Sequence, residues 1–437
     1  MTLLELTTRV TENDRLATLP IAIVGAGPIG LAAAAHLVER DIDFVVFEAG
    51  DAIAASIRER GHTRLFSPWR HLVDPASRRL LEAHGWELPA PDRAPTGREL
   101  VEHYLVPLAE LEPIASRVRT GIEVVGVSRE ALDRTRTRGR SATPFVVRIR
   151  NRHGEVEEMS ARAVIDASGT YGSPNSLSSS GLELLGMAEI ADLVSPALPD
   201  VLGRDRARFA RRHTTVVGAG HSAANTLLGL VELARQEPGT RVTWVIRNTQ
   251  AVRVSSSADD ELADRARLGS RVDRAVAAGA IELLDRFEII RARRSGSAAE
   301  LVGRRGDDVV VHASDLVVNA TGFRPDLDIL REIRLELDDV VEAPKRLAPL
   351  IDPNVHSCGT VEPHGFRELA HPEKGFFIVG MKSYGRAPTF LLATGYEQVR
   401  SVTAWLAGDA ETAAKVELVL PATGVCSTDG GAGGCCA

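Results

Sequence analysis

Ile21-Ala22-Ile23-Val24-Gly25-Ala26-Gly27-Pro28-Ile29-Gly30 decides the fold of this chain. Four apolar residues make a short buried strand, and three glycines follow at the spacing that turns a strand directly into a helix. Gly25 makes the tight turn, Gly27 lets the backbone approach a pyrophosphate, and Gly30 lets helix and strand pack closely. Pro28 and Ile29 open the helix, where free amides and the positive dipole end favour a phosphate. The next strand, Phe44 to Phe47, ends in Glu48, an acceptor placed for a ribose hydroxyl. The alternative for Glu48 is a solvated strand-end carboxylate. The pattern returns after Thr214 to Val217 as Gly218-Ala219-Gly220-His221-Ser222-Ala223. Here the following strand, Arg241 to Ile246, ends at Arg247, a guanidinium suited to the 2′-phosphate of NADP rather than to a bare ribose. An ordinary surface arginine is the competing reading. Two fingerprints in series imply two nucleotide cofactors on one chain, and hence electron transfer.

Composition bounds the rest. The chain has 437 residues, 44% of them hydrophobic and 25% charged, with a net charge of −7. That length suits two or three domains, and the negative balance gives no electrostatic case for nucleic acid or anionic membrane. The longest apolar run, Ile21 to Val38, contains the phosphate-loop glycines and a proline, which fit a strand and buried helix rather than a membrane span. No basic segment with a cleavage site precedes it, so the expected location is cytoplasmic. Of the four cysteines, Cys358 lies inside the expected fold and Cys426, Cys435 and Cys436 sit near the end. This is no secreted disulfide framework.

The expected class is α/β, with two Rossmann-like domains, the second inserted into the first. Residues 1–19 read as a polar leader, 20–195 and 326–420 as the two parts of the outer domain, 196–325 as the insert, and 421–437 as a flexible Gly/Cys tail. Ser56 to Pro95, rich in Trp, Pro, His and Arg, has neither helical nor strand period and reads as an excursion over the cofactor. Gly97 to Leu111 reads as an amphipathic helix and Arg134 to Arg140 as an exposed basic hairpin tip. A helix is expected from about Pro388 to Leu406; its first turn, near Thr389, either aims its amides at a cofactor ring or is merely a helix start.

Together these motifs resemble the two-dinucleotide-binding-domain flavoproteins, over roughly Pro20 to Leu406. That resemblance implies FAD on the first fingerprint and NADPH on the second. It makes Asp166-Ala167-Ser168-Gly169 and Asn319-Ala320-Thr321-Gly322 the two crossings between domains. Val124, Gly169, Thr321, Gly322 and Gly380 join the cofactor contacts on the same basis. The disulfide reductases of the superfamily need a redox cysteine pair near the first fingerprint or in the NADPH domain, and neither region holds a cysteine. Those enzymes also carry Gly-Asp where this chain reads Gly380-Met381. Flavin-containing monooxygenases and N-hydroxylases lack that aspartate, so the resemblance shifts to them. Their Asp-x3-Leu/Phe-Ala-Thr-Gly-Tyr signature is approximated by Asp315 to Phe323, with Asn319 in place of the apolar residue. In their linker signature Ala207 stands where a histidine would be, and Arg211 where an aromatic would be. The look of the chain and its tail also resembles flavin monooxygenase-like proteins of arsenic-resistance islands.

The resemblance implies transfer of one oxygen from O2, through a flavin C4a-hydroperoxide, to a small soft nucleophile: sulfur, an amine or a trivalent arsenical. Such chemistry needs water excluded. Phe66, Trp69 and Trp86 are candidate cover, with plain core aromatics as the alternative. Ser67, Trp69 and Arg70 fall where related enzymes bring a loop over the flavin. His356, Cys358, Glu362 and His364 match no compact zinc spacing. Cys435 and Cys436 are adjacent, with Cα atoms about 3.8 Å apart, too close for a relaxed disulfide. A vicinal thiolate pair on a Gly-rich arm suits capture of As(III) or another thiophilic ion, as in the similar tail of mercuric reductases; an unselected tail is the alternative. Two rival functions remain: an NAD(P)H-dependent flavin reductase serving a metal ion or protein partner, and a non-enzymatic thiol or metal sensor.

Overall fold

The computed structural model describes residues 12–248, 263–352, 363–387 and 390–418. It contains two five-stranded sheets, each parallel throughout. The first runs in the order Phe376–Ile378, Ala163–Asp166, Ile21–Val24, Phe44–Glu48, Val118–Thr120. The second runs Glu282–Leu284, Arg241–Val245, His213–Val217, Leu316–Asn319, Val194–Pro196. In both, the fingerprint strand is central and the order reverses beside it, which is where open α/β sheets bind ligands. Each sheet has its own antiparallel meander. Ile122–Arg129, Phe145–Asn151 and Val156–Ala161 serve the first; Glu288–Ser295, Ala298–Arg305 and Asp308–Ser314 serve the second.

Small side chains set the depth of the first core. Ala32 to Ala35 of helix Pro28–Val38 are fully buried. They lie in one cluster with Tyr396, Val399 and Val402 of helix Leu392–Leu406. In the second domain, helix His221–Gln236 buries Ala223, Ala224, Leu227 and Leu230 against Trp244, Leu268 and Val272.

Several elements differ from the sequence reading, each for a local reason. The leader carries a helix, Glu12–Thr18, whose Arg15 pairs with Glu130 at 2.9 Å. Gly97 to Leu111 is interrupted by a π-turn over Val101–Leu105. Pro107 has no N–H for the carbonyl four residues earlier, and that carbonyl, of His103, accepts from the Trp86 indole at 2.8 Å instead. The helix expected from Pro388 starts at Leu392, because Leu391 is extended. Pro388 and Thr389 lie outside the described residues. Strand Val194–Pro196 pairs within the second sheet, two residues ahead of the boundary expected at 196.

The basic hairpin tip is exposed only in part. Arg140 is buried and, with Arg129, grips Glu373 at 2.7 and 2.8 Å. Burial pushes the Glu373 carboxyl up, but hydrogen bonds from Arg140 and Arg129 outweigh it and hold the group below its ordinary range.

Candidate functional site

Both strand-to-helix turns have the same construction. Gly25 has φ +96°, and a Cβ there would lie 2.8 Å from the Ala167 carbonyl oxygen. Gly218 has φ +134°, and its Cβ would lie 2.1 Å from the Ala320 oxygen. Each first glycine therefore abuts the crossing that leaves the neighbouring strand. Gly27 and Gly220 are the opposite: a Cβ on either would meet nothing within 4 Å. Both cap their helices without a side-chain hydrogen bond, so first-turn amides face open cradles. That is the shape a diphosphate needs, and the residues fit one in each domain. The third positions differ. A Cβ on Gly30 would come within 1.9 Å of the Gly25 oxygen, whereas the second domain accommodates a fully buried Ala223.

Around the first cradle, the Glu48 carboxylate is buried at its strand end. One oxygen accepts from Ala26 N–H and the other from Gly50 N–H, both at 2.9 Å. Each oxygen retains an acceptor site, which suits a ribose diol. Gly380 packs against Ile29, where a Cβ would lie 3.0 Å away, and its N–H donates to Gln398 at 2.7 Å. Val124 packs in the core under the sheet, beside a register shift that ends at Gly126. Gly169 ends its crossing at φ +74°.

The region reading Gly380-Met381 holds something the sequence reading missed. Lys382 is buried, and its ammonium donates to Asp166 at 2.7 Å and to Ser168 at 3.1 Å. The available signal was a lysine next to the position where an aspartate is customary.

The second cradle opens into a cavity of about 650 Å³. Gly218, Ala219, Asn319 and Thr321 form its floor, and Arg247 and the Ser178–Ser180 loop lie along its rim. The two crossings meet beside it. Asn319 donates to the Asn175 carbonyl at 2.9 Å, Thr321 Oγ1 donates to the same oxygen at 3.2 Å, and Asn175 N–H donates to Gly322 at 2.9 Å. Asn319 thus ties the second crossing to Asn175, a bond that an apolar residue at 319 could not make. The Ser222 carbonyl accepts from the Thr226 hydroxyl, and the His221 ring packs tilted against Phe66, 5.4 Å between centroids.

The excursion therefore divides. Phe66 packs with the core of the second domain, while Trp69 is fully buried in the first. The Trp69 indole N–H has no partner among the described residues. Ser67 is half-buried; Arg70 is exposed and pairs with Asp92. Trp86 is half-buried against Tyr104. His364 is buried and bonds Gln398 at 2.9 Å. His356, Cys358, Glu362, Cys435 and Cys436 lie outside the described residues. Among the described residues, no group of three or more His, Cys, Asp or Glu could hold a metal ion, and no helix is long and apolar enough to cross a membrane.

Residues 22–357 match the sequence profile of the family described as pyridine nucleotide-disulphide oxidoreductase. The chain belongs to that family. It is an NAD(P)H-dependent flavoprotein oxidoreductase, with the two-domain architecture its fingerprints required. No curated protein matches it in sequence. Among solved structures, a bacillithiol disulfide reductase from Bacillus cereus is 19% identical with a TM-score of 0.66, covering 89% of this chain and 99% of its own. The FAD-bound cadaverine monooxygenase of desferrioxamine biosynthesis from Erwinia amylovora is 13% identical, with a TM-score of 0.63 and coverage of 93% and 99%. An ornithine N-hydroxylase from Kutzneria, with reduced FAD, NADP+ and L-ornithine, is 17% identical, with a TM-score of 0.60 and coverage of 89% and 100%. The fold is thus shared by disulfide reductases and N-hydroxylases.

Proposed function

We propose that this protein is an FAD- and NADPH-dependent monooxygenase acting on a small soft nucleophile. The observation that carries the reading is chemical: no cysteine occurs before Cys358, so neither fingerprint region carries the redox cysteine pair that a disulfide reductase needs. When bound, NADPH supplies hydride to the flavin, and the reduced flavin activates O2.

The residues have the following roles. The amides at Ile29 and Gly30, with the open backbone of Gly25 and Gly27, hold the FAD diphosphate, and Glu48 accepts from its ribose. Gly380 and the first turn of Leu392–Leu406 approach the ring system, with Thr389 just ahead of that turn. Gly218, Gly220, His221, Ser222 and Ala223 form the NADPH diphosphate cradle, with Arg247 on its 2′-phosphate. Trp69 and Phe66 exclude water, and Ser67 borders them. Val124, Gly169, Thr321 and Gly322 complete the cofactor walls.

The substrates that suit this chemistry are thiols, amines and trivalent arsenicals. Cys435 and Cys436 add thiolate softness in favour of the arsenical. Rapid mixing of the NADPH-reduced holoprotein with O2 tests the proposal. A transient spectrum distinct from both reduced and oxidised flavin is the expected result. Direct reoxidation releasing one H2O2 per NADPH, with thiol, amine and arsenite each present, would overturn it in favour of a reductase. Ending the chain before Gly430 tests the tail separately: NADPH oxidation should persist and turnover at low arsenite should fall. Unchanged metal binding and kinetics would leave the tail without a role.

A further inference from the structure

A second open cavity of about 560 Å³ adjoins the first and shares with it Ser178–Ser180, Arg247, Asn248 and Ile289. It adds Glu288, Ile290 and Arg304. Arg304 comes from the second domain's meander, not from the strand end where the sequence pattern places nucleotide-recognising residues. Several other arginines of this domain are committed to carboxylates: Arg293 to Glu300, Arg294 to Asp192, and Arg286 and Arg305 to Asp285. Arg304 and Arg247 have no such partner among the described residues. Arg247 reaches only a backbone carbonyl, that of Ser179, at 3.3 Å. Glu288 stands opposite Arg304 in the strand register, and no ion pair joins them. Two guanidiniums and one carboxylate leave the cavity with an excess positive charge, beside the hydroxyls of Ser178 and Ser180, which lie 2.8 Å apart.

We propose that Arg304 is a second phosphate ligand, holding a dianionic 2′-phosphate together with Arg247 in the cavity both line, with the Ser178 and Ser180 hydroxyls as additional donors. This rests on the NADPH reading and adds a residue outside the fingerprint to it. A monoester phosphate dianion has three strong acceptor oxygens, and planar guanidiniums on two sides can each engage two of them. The Glu288 carboxylate lines the same cavity, so it opposes the dianion and must be outweighed by both arginines together.

The test is calorimetric titration of the FAD-loaded, full-length protein with adenosine 2′,5′-bisphosphate and with AMP, which differ by the 2′-phosphate alone. Wild type should prefer the bisphosphate. Arg304→Ala should lower that preference about tenfold, the loss of one charge-assisted hydrogen bond, while leaving AMP affinity unchanged. Arg304→Lys should recover part of the preference, and Glu288→Gln should increase it. Arg304 is exposed, so the substitution spares the fold, which AMP binding reports directly. A preference in Arg304→Ala equal to wild type overturns the assignment of Arg304 while the NADPH reading stands. A wild type that binds both nucleotides equally overturns the NADPH reading itself.

Discussion

The two crossings, Asp166 to Gly169 and Asn319 to Gly322, are the same device with a carboxylate at the head of one and an amide at the head of the other. In each, the first side-chain oxygen accepts from the backbone N–H and the hydroxyl two residues on: Ser168 at 3.1 and 2.7 Å, Thr321 at 3.2 and 2.7 Å. In each, the alanine N–H donates back to the fingerprint strand at 2.9 Å. The remaining atom separates them. The second oxygen of Asp166 takes the Lys382 ammonium, whereas the amide of Asn319 donates to the Asn175 carbonyl. A carboxylate thus anchors a distant part of the outer domain through a buried charge, and a neutral amide anchors the other crossing. The turn sets the backbone, and the free atom sets which parts of the molecule are coupled.

The largest effect that probes this parallel lies at the third fingerprint position. Gly30→Val should abolish both flavin content and cooperative unfolding, because a backbone oxygen lies where the side chain begins. Ala223→Gly should change thermal stability little. Flavin absorbance and circular dichroism compare them, and a folded, yellow Gly30→Val protein would break the parallel.

Gly27→Val should separate fold from cofactor. Nothing of the protein occupies its Cβ position, so the apoprotein should fold and melt normally yet purify without FAD. A flavin-replete variant would show that the first cradle does not hold the diphosphate.

Asp166→Asn makes the first crossing copy the second, and leaves Lys382 buried without its counter-charge. The expected destabilisation is about 3–5 kcal/mol, with much of it recovered in Asp166→Asn/Lys382→Met. Denaturant unfolding measures both. Equal stability of the single variant and wild type would show that the ion pair is not what distinguishes the crossings.

The smallest effect is in pH. Burial holds the His371 imidazole down at about 4, against a weaker upward pull from the nearby Glu336 carboxylate. The folded state then binds fewer protons than the unfolded one between about 4 and 6.5. Stability should be fully present above about 6.5 and decline by about 3 kcal/mol as pH falls to about 4. His371→Gln should flatten that slope; an unchanged slope would assign the acid loss elsewhere, to Glu373 first.

What was legible in the chain follows from distance along it. Both fingerprints, both crossings and the central strands are short-range patterns whose spacing is fixed by one turn of backbone. The pairs Arg129–Glu373, Arg140–Glu373 and Asp166–Lys382 join residues more than 200 positions apart, and no local period marks them. Arg140 therefore read as solvated, although it closes a buried ion cluster. The late start of helix Leu392–Leu406 was hidden for a different reason. Proline favours a helix's first turn, which drew the expected start to Pro388, whereas packing of Phe390 against Tyr384 at 5.1 Å accompanies an extended Leu391. Of the residues proposed to contact the nucleotides, Glu48 and Arg247 stand at strand ends that the sequence pattern marks, while Arg304 sits on a meander strand with no positional signature.

The pinned crossings have a consequence for how such a chain could arise and be rebuilt. Pro174 and Phe323 pair as an antiparallel bridge, so the inserted domain leaves and rejoins its host through a single seam. A cassette whose ends already touch can be exchanged for another without asking the host to span a gap, as domain insertions generally require. The hydrogen bonds of Asn175, Asn319 and Thr321 travel with the seam rather than with either body. A chimera that keeps those three residues and replaces everything between them keeps the splice that makes the two bodies one protein.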